Sequence, residues 1–340
     1  MRIFRRLVCL GLLGLLAGCG GHTDTVSDTL TLGAYTVPKE VYQRELIPRF
    51  QQLWKQKTGR DLHVQQSYMA SGAQSRAIVQ GFEADIAALS LEADIERLRD
   101  ARLITHDWQE AQHRGFITRS IVVMMARPGN PKNIQGWEDL TREDVDVIYP
   151  SPRTSGGAMW VVNAIYGSEL KRTEIETGSA DPLAAGNFLA AVQSRVRVMS
   201  KSGRASVTTF ETGVGDVLLT YENEALLRQK QGKEFSIIVP DETILIENPI
   251  AVVDANVERH GNREVAEAFV QFLHSAEAQR AFARYGFRSV NADVAAEFAT
   301  VFPRPPRLFD IRYLGGWKKA TDLLYSSRGV WTRIFEQQGN

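Results

Sequence analysis

One pattern recurs along most of this 340-residue chain: a short apolar run, a turn of small residues, then an amphipathic helical stretch. Leu30–Ala34 reads as a strand. Pro38–Lys57 reads as a helix, with Leu46, Ile47, Phe50, Leu53 and Trp54 on one face and Gly59 closing it. Asp61–Gln66 and Asp85–Leu89 are the next strands, with a helix opened by Ser71-Gly72 and running to Gly81 between them. Ile117–Ala126 is longer and ends at Arg127-Pro-Gly-Asn-Pro131. Val145–Tyr149, Arg195–Met199, Val217–Tyr221 and Phe235–Val239 supply four more, and the chain from Arg263 onward is mostly helical. Strands and helices that alternate in this way bury both faces of largely parallel sheets, so the pattern predicts an α/β architecture. The length is enough for two lobes with separate cores.

The first residues read as processing signal. Arg2, Arg5 and Arg6 precede the apolar run Leu7–Leu16, which as a helix would span about 15 Å, half a bilayer core. Leu16-Ala17-Gly18-Cys19 resembles a bacterial lipobox. Residues 1–18 would then be a lipoprotein signal peptide, Cys19 the acylated mature N-terminus, and 19–29 a polar tether. The expected location is the periplasm, anchored to a membrane through lipid alone, or the outer face of the cell membrane in an organism with a single membrane. Cys9 and Cys19 are the only cysteines, so the processed chain has no disulfide and no thiol catalyst. Forty basic and forty acidic residues balance, and nothing in that balance suggests nucleic acid as a partner.

Enzyme signatures are missing. His22, His63, His106, His113, His260 and His274 show no metal-ligand spacing and flank no nucleophile motif, so surface positions are expected for them. There is no G-x-S-x-G, no P-loop and no GxGxxG after a strand. Acidic neighbours such as Glu222 and Glu224 are unremarkable among 40 carboxylates. No catalytic residue, metal or cofactor is expected.

The positive signal lies in the turns. Ala34-Tyr35-Thr36, Met69-Ala70-Ser71-Gly72, Thr154-Ser155-Gly156-Gly157 and Ser202-Gly203-Arg204-Ala205 each place small or hydroxylic residues where a strand gives way to a helix. A helix start leaves backbone N–H groups unpaired and carries about half a positive charge. Small residues let an anion approach those groups closely. One such turn is an ordinary cap. Four converging on one cleft would bind a dianion without a lysine.

At these residues the chain resembles the periplasmic sulfate/thiosulfate-binding proteins, the receptors that feed sulfate ABC importers. The resemblance runs over about residues 30–335. It is carried by QSYMASG (66–72), GFEAD (81–85), ARPGNPKNIQGWEDL (126–140), PSPRTSGGAMW (150–160), GVGDVLLTYENEALL (213–227) and LGGW (314–317). It implies a two-lobed type II periplasmic-binding fold with the ligand cleft between the lobes. The expected division is 30–118 with 252–340 in the first lobe and 119–251 in the second, with crossovers near Ile117–Ile121 and Asn248–Val252. Carried over position by position, Thr36, Ser71, Gly156, Gly157 and Gly203 would offer backbone N–H groups and Ser155 its hydroxyl. Tyr221 stands where the family usually has a tryptophan, and Met159 where it has an arginine. Arg204 matches a family arginine that would support the Gly203 turn.

The resemblance implies a monomeric, non-enzymatic sulfate receptor that closes on its ligand and is read by an importer permease. A shell of N–H donors suits an anion that carries no proton, since a protonated oxygen would face a donor. Tyr221 and Ser155 soften that preference, because a hydroxyl can also accept. Receptors for thiosulfate, molybdate or another tetrahedral oxyanion stay open as alternatives, as does a lipid-anchored interaction or sensing protein with a degenerate site.

Overall fold

The computed structural model describes residues 29–338. The signal segment, Cys19 and all but the last residue of the expected tether lie outside that range. Thr29, the last of them, already belongs to β1 (Thr29–Tyr35), where Leu30, Leu32 and Ala34 are fully buried. The next helical stretch comes in three pieces: α1 (Lys39–Val41), a π-turn over Tyr42–Leu46, and α2 (Ile47–Thr58). Its face buries Leu46, Ile47, Phe50 and Trp54, and Gly59 closes it in the left-handed region at φ +73°. There follow β2 (His63–Met69), α3 (Ser71–Val79), β3 (Ile86–Ala88), α4 (Glu92–Asp100), β4 (Phe116–Ala126), β5 (Val147–Pro150), α5 (Gly156–Thr177), α6 (Pro182–Gln193), β6 (Val196–Ser200) and α7 (Gly203–Glu211). The chain continues through β7 (Val217–Tyr221), α8 (Glu222–Lys230), β8 (Ser236–Ile238), β9 (Glu242–Val252), α9 (Asp254–His260), α10 (Arg263–His274), α11 (Ala276–Arg284), α12 (Ala292–Glu297), β10 (Arg307–Phe309), α13 (Gly316–Tyr325) and α14 (Val330–Gln338).

Among the described residues the strands form one path, β2-β1-β3-β9-β4-β7-β5-β6, with β10 beside β9 and β8 beside β4. β1 pairs in parallel with β2 and β3, and β5 in parallel with β6 and β7, as alternating strands and helices require. The antiparallel pairs all involve β4 or β9. Each of these eleven-residue strands serves both halves of the sheet. Phe116–Ile121 of β4 lies against Leu245–Pro249 of β9. The far end of β4 joins β7 and β8, and the far end of β9 joins β3.

β9 departs from the strand pattern of the sequence, because Glu247, Asn248 and Pro249 interrupt its apolar run. The structure tolerates Pro249 because the β4 register shifts beside it, while its carbonyl still accepts from Leu89 N–H at 3.0 Å. The stretch from β10 onward, the last part of the segment 252–340, packs largely on β9, α5 and α6. β10 pairs with Glu242–Ile244, Trp317 meets Trp160 edge-on at 4.6 Å, and Tyr325 Oη donates to Met159 O and Asn163 Oδ1 of α5. Trp331 Nε1 bonds Gln193 of α6. Aromatic side chains of the tail find their apolar partners on α5 and α6, and that decides its place.

His274, expected at the surface, is 4% exposed, with neither ring nitrogen hydrogen-bonded. Burial, aided by the His113 ring 5.6 Å away, pushes its imidazole down to about 4. An unfolded histidine titrates near 6.5, so the unfolded chain takes up this proton first and stability falls as pH drops from 6.5 towards 4. His260 acts in a different window: against its own burial, Asp85 and Glu83 raise it, so its contribution is complete below 6.5 and lost above. Asp254 acts lower still. Against burial, the Thr105 N–H, His106 and Arg263 depress it, so its contribution is lost only as pH falls below 3.8. In urea unfolding, the stability of the parent protein relative to His274→Leu should therefore fall by roughly 2–4 kcal/mol between about pH 6.5 and 4. Parallel pH profiles for the two proteins would assign that loss to other groups.

Candidate functional site

The start of α5 is built to leave donors unused. Ser155 holds the N-cap position in extended conformation, yet its hydroxyl makes no cap bond to the helix. The first backbone bonds run from Ala158 and Met159 N–H to Ser155 O, so the Gly156 and Gly157 N–H groups precede the internal ladder. Both glycines are tightly packed, Gly156 more so than Gly157. A Cβ on Gly156 would stand 2.7 Å from Ser90 Oγ, and one on Gly157 would stand 3.0 Å from the Tyr221 ring.

α3 begins in the same way. Its first internal bond is Gln74 N–H to Ala70 O, which leaves the Ser71 N–H ahead of the ladder. The Ser71 hydroxyl is already engaged: it donates to Asp94 Oδ2 at 2.5 Å and accepts from Ser90 N–H at 2.9 Å. At α7, Ser202 is a structural cap, accepting Ala205 N–H on its hydroxyl and Ser206 N–H on its carbonyl. The Gly203 N–H again precedes the first bond. A Cβ on Gly203 would lie 3.6 Å from Val37. Thr36 is half-buried between Tyr35 and Val37, just past β1.

Tyr221 lies where these pieces meet. Its hydroxyl shares a 2.7 Å hydrogen bond with Ser90, its ring covers Gly157, and the Tyr35 ring lies 6.4 Å away. Ser71, Ser155, Gly156, Gly157 and Tyr221 thus join one contact network through Ser90. Gly203 and Thr36 reach it through Val37 and Tyr35. Ser71, Ser155 and Tyr221 are each under 5% exposed. Burial raises the Tyr221 and Tyr35 phenols well above their ordinary range, so both keep their protons.

Charged side chains stand behind this shell. Arg204 bonds both carboxylate oxygens of Glu40, reaches Glu224 Oε1 at 3.1 Å and donates to Val37 O at 3.3 Å. It therefore ties α7 to the segment after β1. Although burial opposes it, Arg204 holds the Glu40 carboxyl below its ordinary value. Arg228 lies 3.5 Å from Glu224. Glu222 belongs instead to Arg288, at 2.6 Å. Each member of the Glu222/Glu224 pair thus has a cationic partner of its own. Among the described residues no cluster of metal-ligating side chains occurs.

Sequence reading missed Ser90, Asp94 and Glu40. Ser90 had a findable signal, since Leu89-Ser90-Leu91 is a fifth small turn between a strand (β3) and a helix (α4). Asp94 and Glu40 carry no local signal of a role here, because the partners that tie them to the helix starts, Ser71 and Arg204, lie 23 and 164 residues away.

Comparison with known proteins agrees with this architecture. Residues 30–288 match the bacterial extracellular solute-binding protein family. The sulfate-binding protein of Synechocystis sp. is 39% identical, over 95% of this chain and 90% of its own. The thiosulfate-binding protein of Pseudomonas aeruginosa is 31% identical, over 97% and 99%. Among solved structures, the sulfate-binding protein SubI of Mycobacterium tuberculosis superposes with a TM-score of 0.79 at 37% identity, covering 88% of this chain and 99% of SubI. The chain therefore belongs to the bacterial extracellular solute-binding proteins, in the branch whose members above are named for sulfate and thiosulfate, and it is a receptor rather than an enzyme.

Proposed function

We propose that this protein is the extracytoplasmic receptor that binds sulfate between two lobes and delivers it to an ABC importer. What supports the proposal is the meeting of two helix starts, at Ser71 and Gly156–Gly157, around Ser90 and Tyr221, with a third, at Gly203, against Val37 on the segment that follows Tyr35. Sulfate is a strongly hydrated dianion, so every oxygen leaving water needs a donor. Backbone N–H groups, the Ser155 hydroxyl and the helix dipoles supply donors and partial positive charge together. β4 and β9 are the proposed hinge. One lobe would hold β1–β3 and α9–α12, and the other β5–β8 with α5–α8 and the C-terminal helices. Thiosulfate is the nearest alternative, supported by the Pseudomonas relative and by a tyrosine at position 221, whose O–H donates from a different reach and angle than an indole N–H.

Calorimetric titration with sulfate, thiosulfate and molybdate tests the ligand, with sulfate expected to bind tightest. Heat with none of them would defeat the oxyanion function. Ser155→Ala should weaken sulfate binding by about 1–3 kcal/mol, the cost of a lost hydrogen bond to a charged group. Unchanged affinity would remove Ser155 from the site.

The Arg204–Glu40 pair joins elements of the two proposed lobes, so it would favour the closed form. Glu40→Gln should weaken sulfate binding about tenfold, since one member of a partly buried ion pair is left with fewer partners. The contraction seen by small-angle scattering on adding sulfate should shrink as well. If affinity and contraction both stay as in the parent protein, the pair is not a closure latch.

Cys19 as a lipid anchor completes the proposal. Cys19→Ser should move the protein from the membrane fraction to the soluble fraction of the cells that make it. An unchanged distribution would rule the anchor out.

A further inference from the structure

Ser90 and Tyr221 arrive from different strands, just after β3 and at the end of β7, and share a hydrogen bond in which either oxygen can be the donor. Both are buried, at 1% and 4% exposed. The pair lies directly on the Gly156–Gly157 turn, with Ser90 Oγ and the Tyr221 ring occupying the space that Cβ atoms there would need. The rest of Ser90 is fixed. Its carbonyl accepts from Trp160 Nε1 at 2.9 Å and Asn248 Nδ2 at 2.8 Å, and its N–H donates to Ser71. Only the hydroxyl is free to turn.

A backbone or indole N–H can only donate. Two hydroxyls in contact hold two protons and use one on each other, so the pair can present to a ligand either the remaining proton or a lone pair. A single hydroxyl does this less well, because on accepting from a ligand it must still place its own proton. Asp94, the carboxylate bonded to Ser71, is engaged on both oxygens, by the Ser71 hydroxyl on one and by Arg97, at 2.7 Å, on the other.

We infer that the Ser90–Tyr221 pair is a specificity-determining element that lets the site take a monoprotonated tetrahedral anion, of the hydrogenphosphate class, alongside fully ionised ones. This depends on the oxyanion site proposed above. The pair reverses its shared hydrogen bond to accept the ligand's proton, where a donor-only shell would repel it.

The test is calorimetry on the full chain with sulfate and with inorganic phosphate, near neutral pH. Phosphate should bind within about a hundredfold of sulfate, against the far larger rejection that a donor-only site imposes. Ser90→Ala and Tyr221→Phe should each lower the phosphate-to-sulfate affinity ratio by about tenfold or more. A merely structural role would weaken both anions in parallel and leave the ratio alone. Sulfate binding with phosphate more than about a hundredfold weaker overturns the inference and leaves the receptor function standing. An unchanged ratio in the variants overturns it as well. If one variant does not fold, the parent ratio and the other variant still decide. Binding of neither anion by the parent chain overturns both.

Discussion

Each polar group of Ser90 is held by a different part of the chain, and the site's geometry hangs on that residue. Its N–H goes to the first residue of α3, its carbonyl to Trp160 of α5 and Asn248 of β9, and its hydroxyl to the last residue of β7. A buried residue whose every polar group has a partner is costly to move, because shifting a partner leaves a donor or acceptor unpaired in a dry setting. The small residues at Gly156 and Gly157 let those elements come close enough for the bonds to form. Packing and polar satisfaction therefore fix the helix starts together.

With that frame in place, the distribution of charge makes sense. The three helix starts contribute at most roughly 1.5 elementary charges between them, close to what a dianion needs. A guanidinium in direct contact would add affinity and lose discrimination among anions. Arg204 is instead occupied by Glu40, Glu224 and a carbonyl, and acts through the position of α7. Met159, where the family resemblance places an arginine, packs half-buried and gives its carbonyl to Tyr325.

The parts of this molecule written into the sequence are those set by local periodicity. β7 has the expected bounds, the buried face of α2 is the expected face, and the turns at Ser71, Ser155 and Gly203 open helices. Long-range partners were not legible. β9 looks broken when read alone because Asn248 and Pro249 answer to Thr118, Ser90 and Leu89, not to their sequence neighbours. His274 lies on a helix whose pattern allows an inward histidine without requiring one, and only tertiary packing against His113 shows that it is dry. The neighbours of the tail were not legible for a similar reason, since an amphipathic helix shows that it must be covered and not by what.

The shared strands β4 and β9 also bear on how such a chain acquires its structure. β3 finds its antiparallel neighbour only in Ile250–Val252, about 160 residues further on, whereas β4 through β9 form a nearly continuous stretch. The interior segment can thus complete most of its own pairings while β1–β3 still present an open sheet edge. Closing that edge brings together Ile86–Ala88 and Ile250–Val252, segments far apart in sequence, and pairings of such high contact order are expected to form slowly and to leave an edge exposed to wrong partners meanwhile. A receptor with this connectivity would mature from its middle outward, with its N-terminal sheet the last part to become protected.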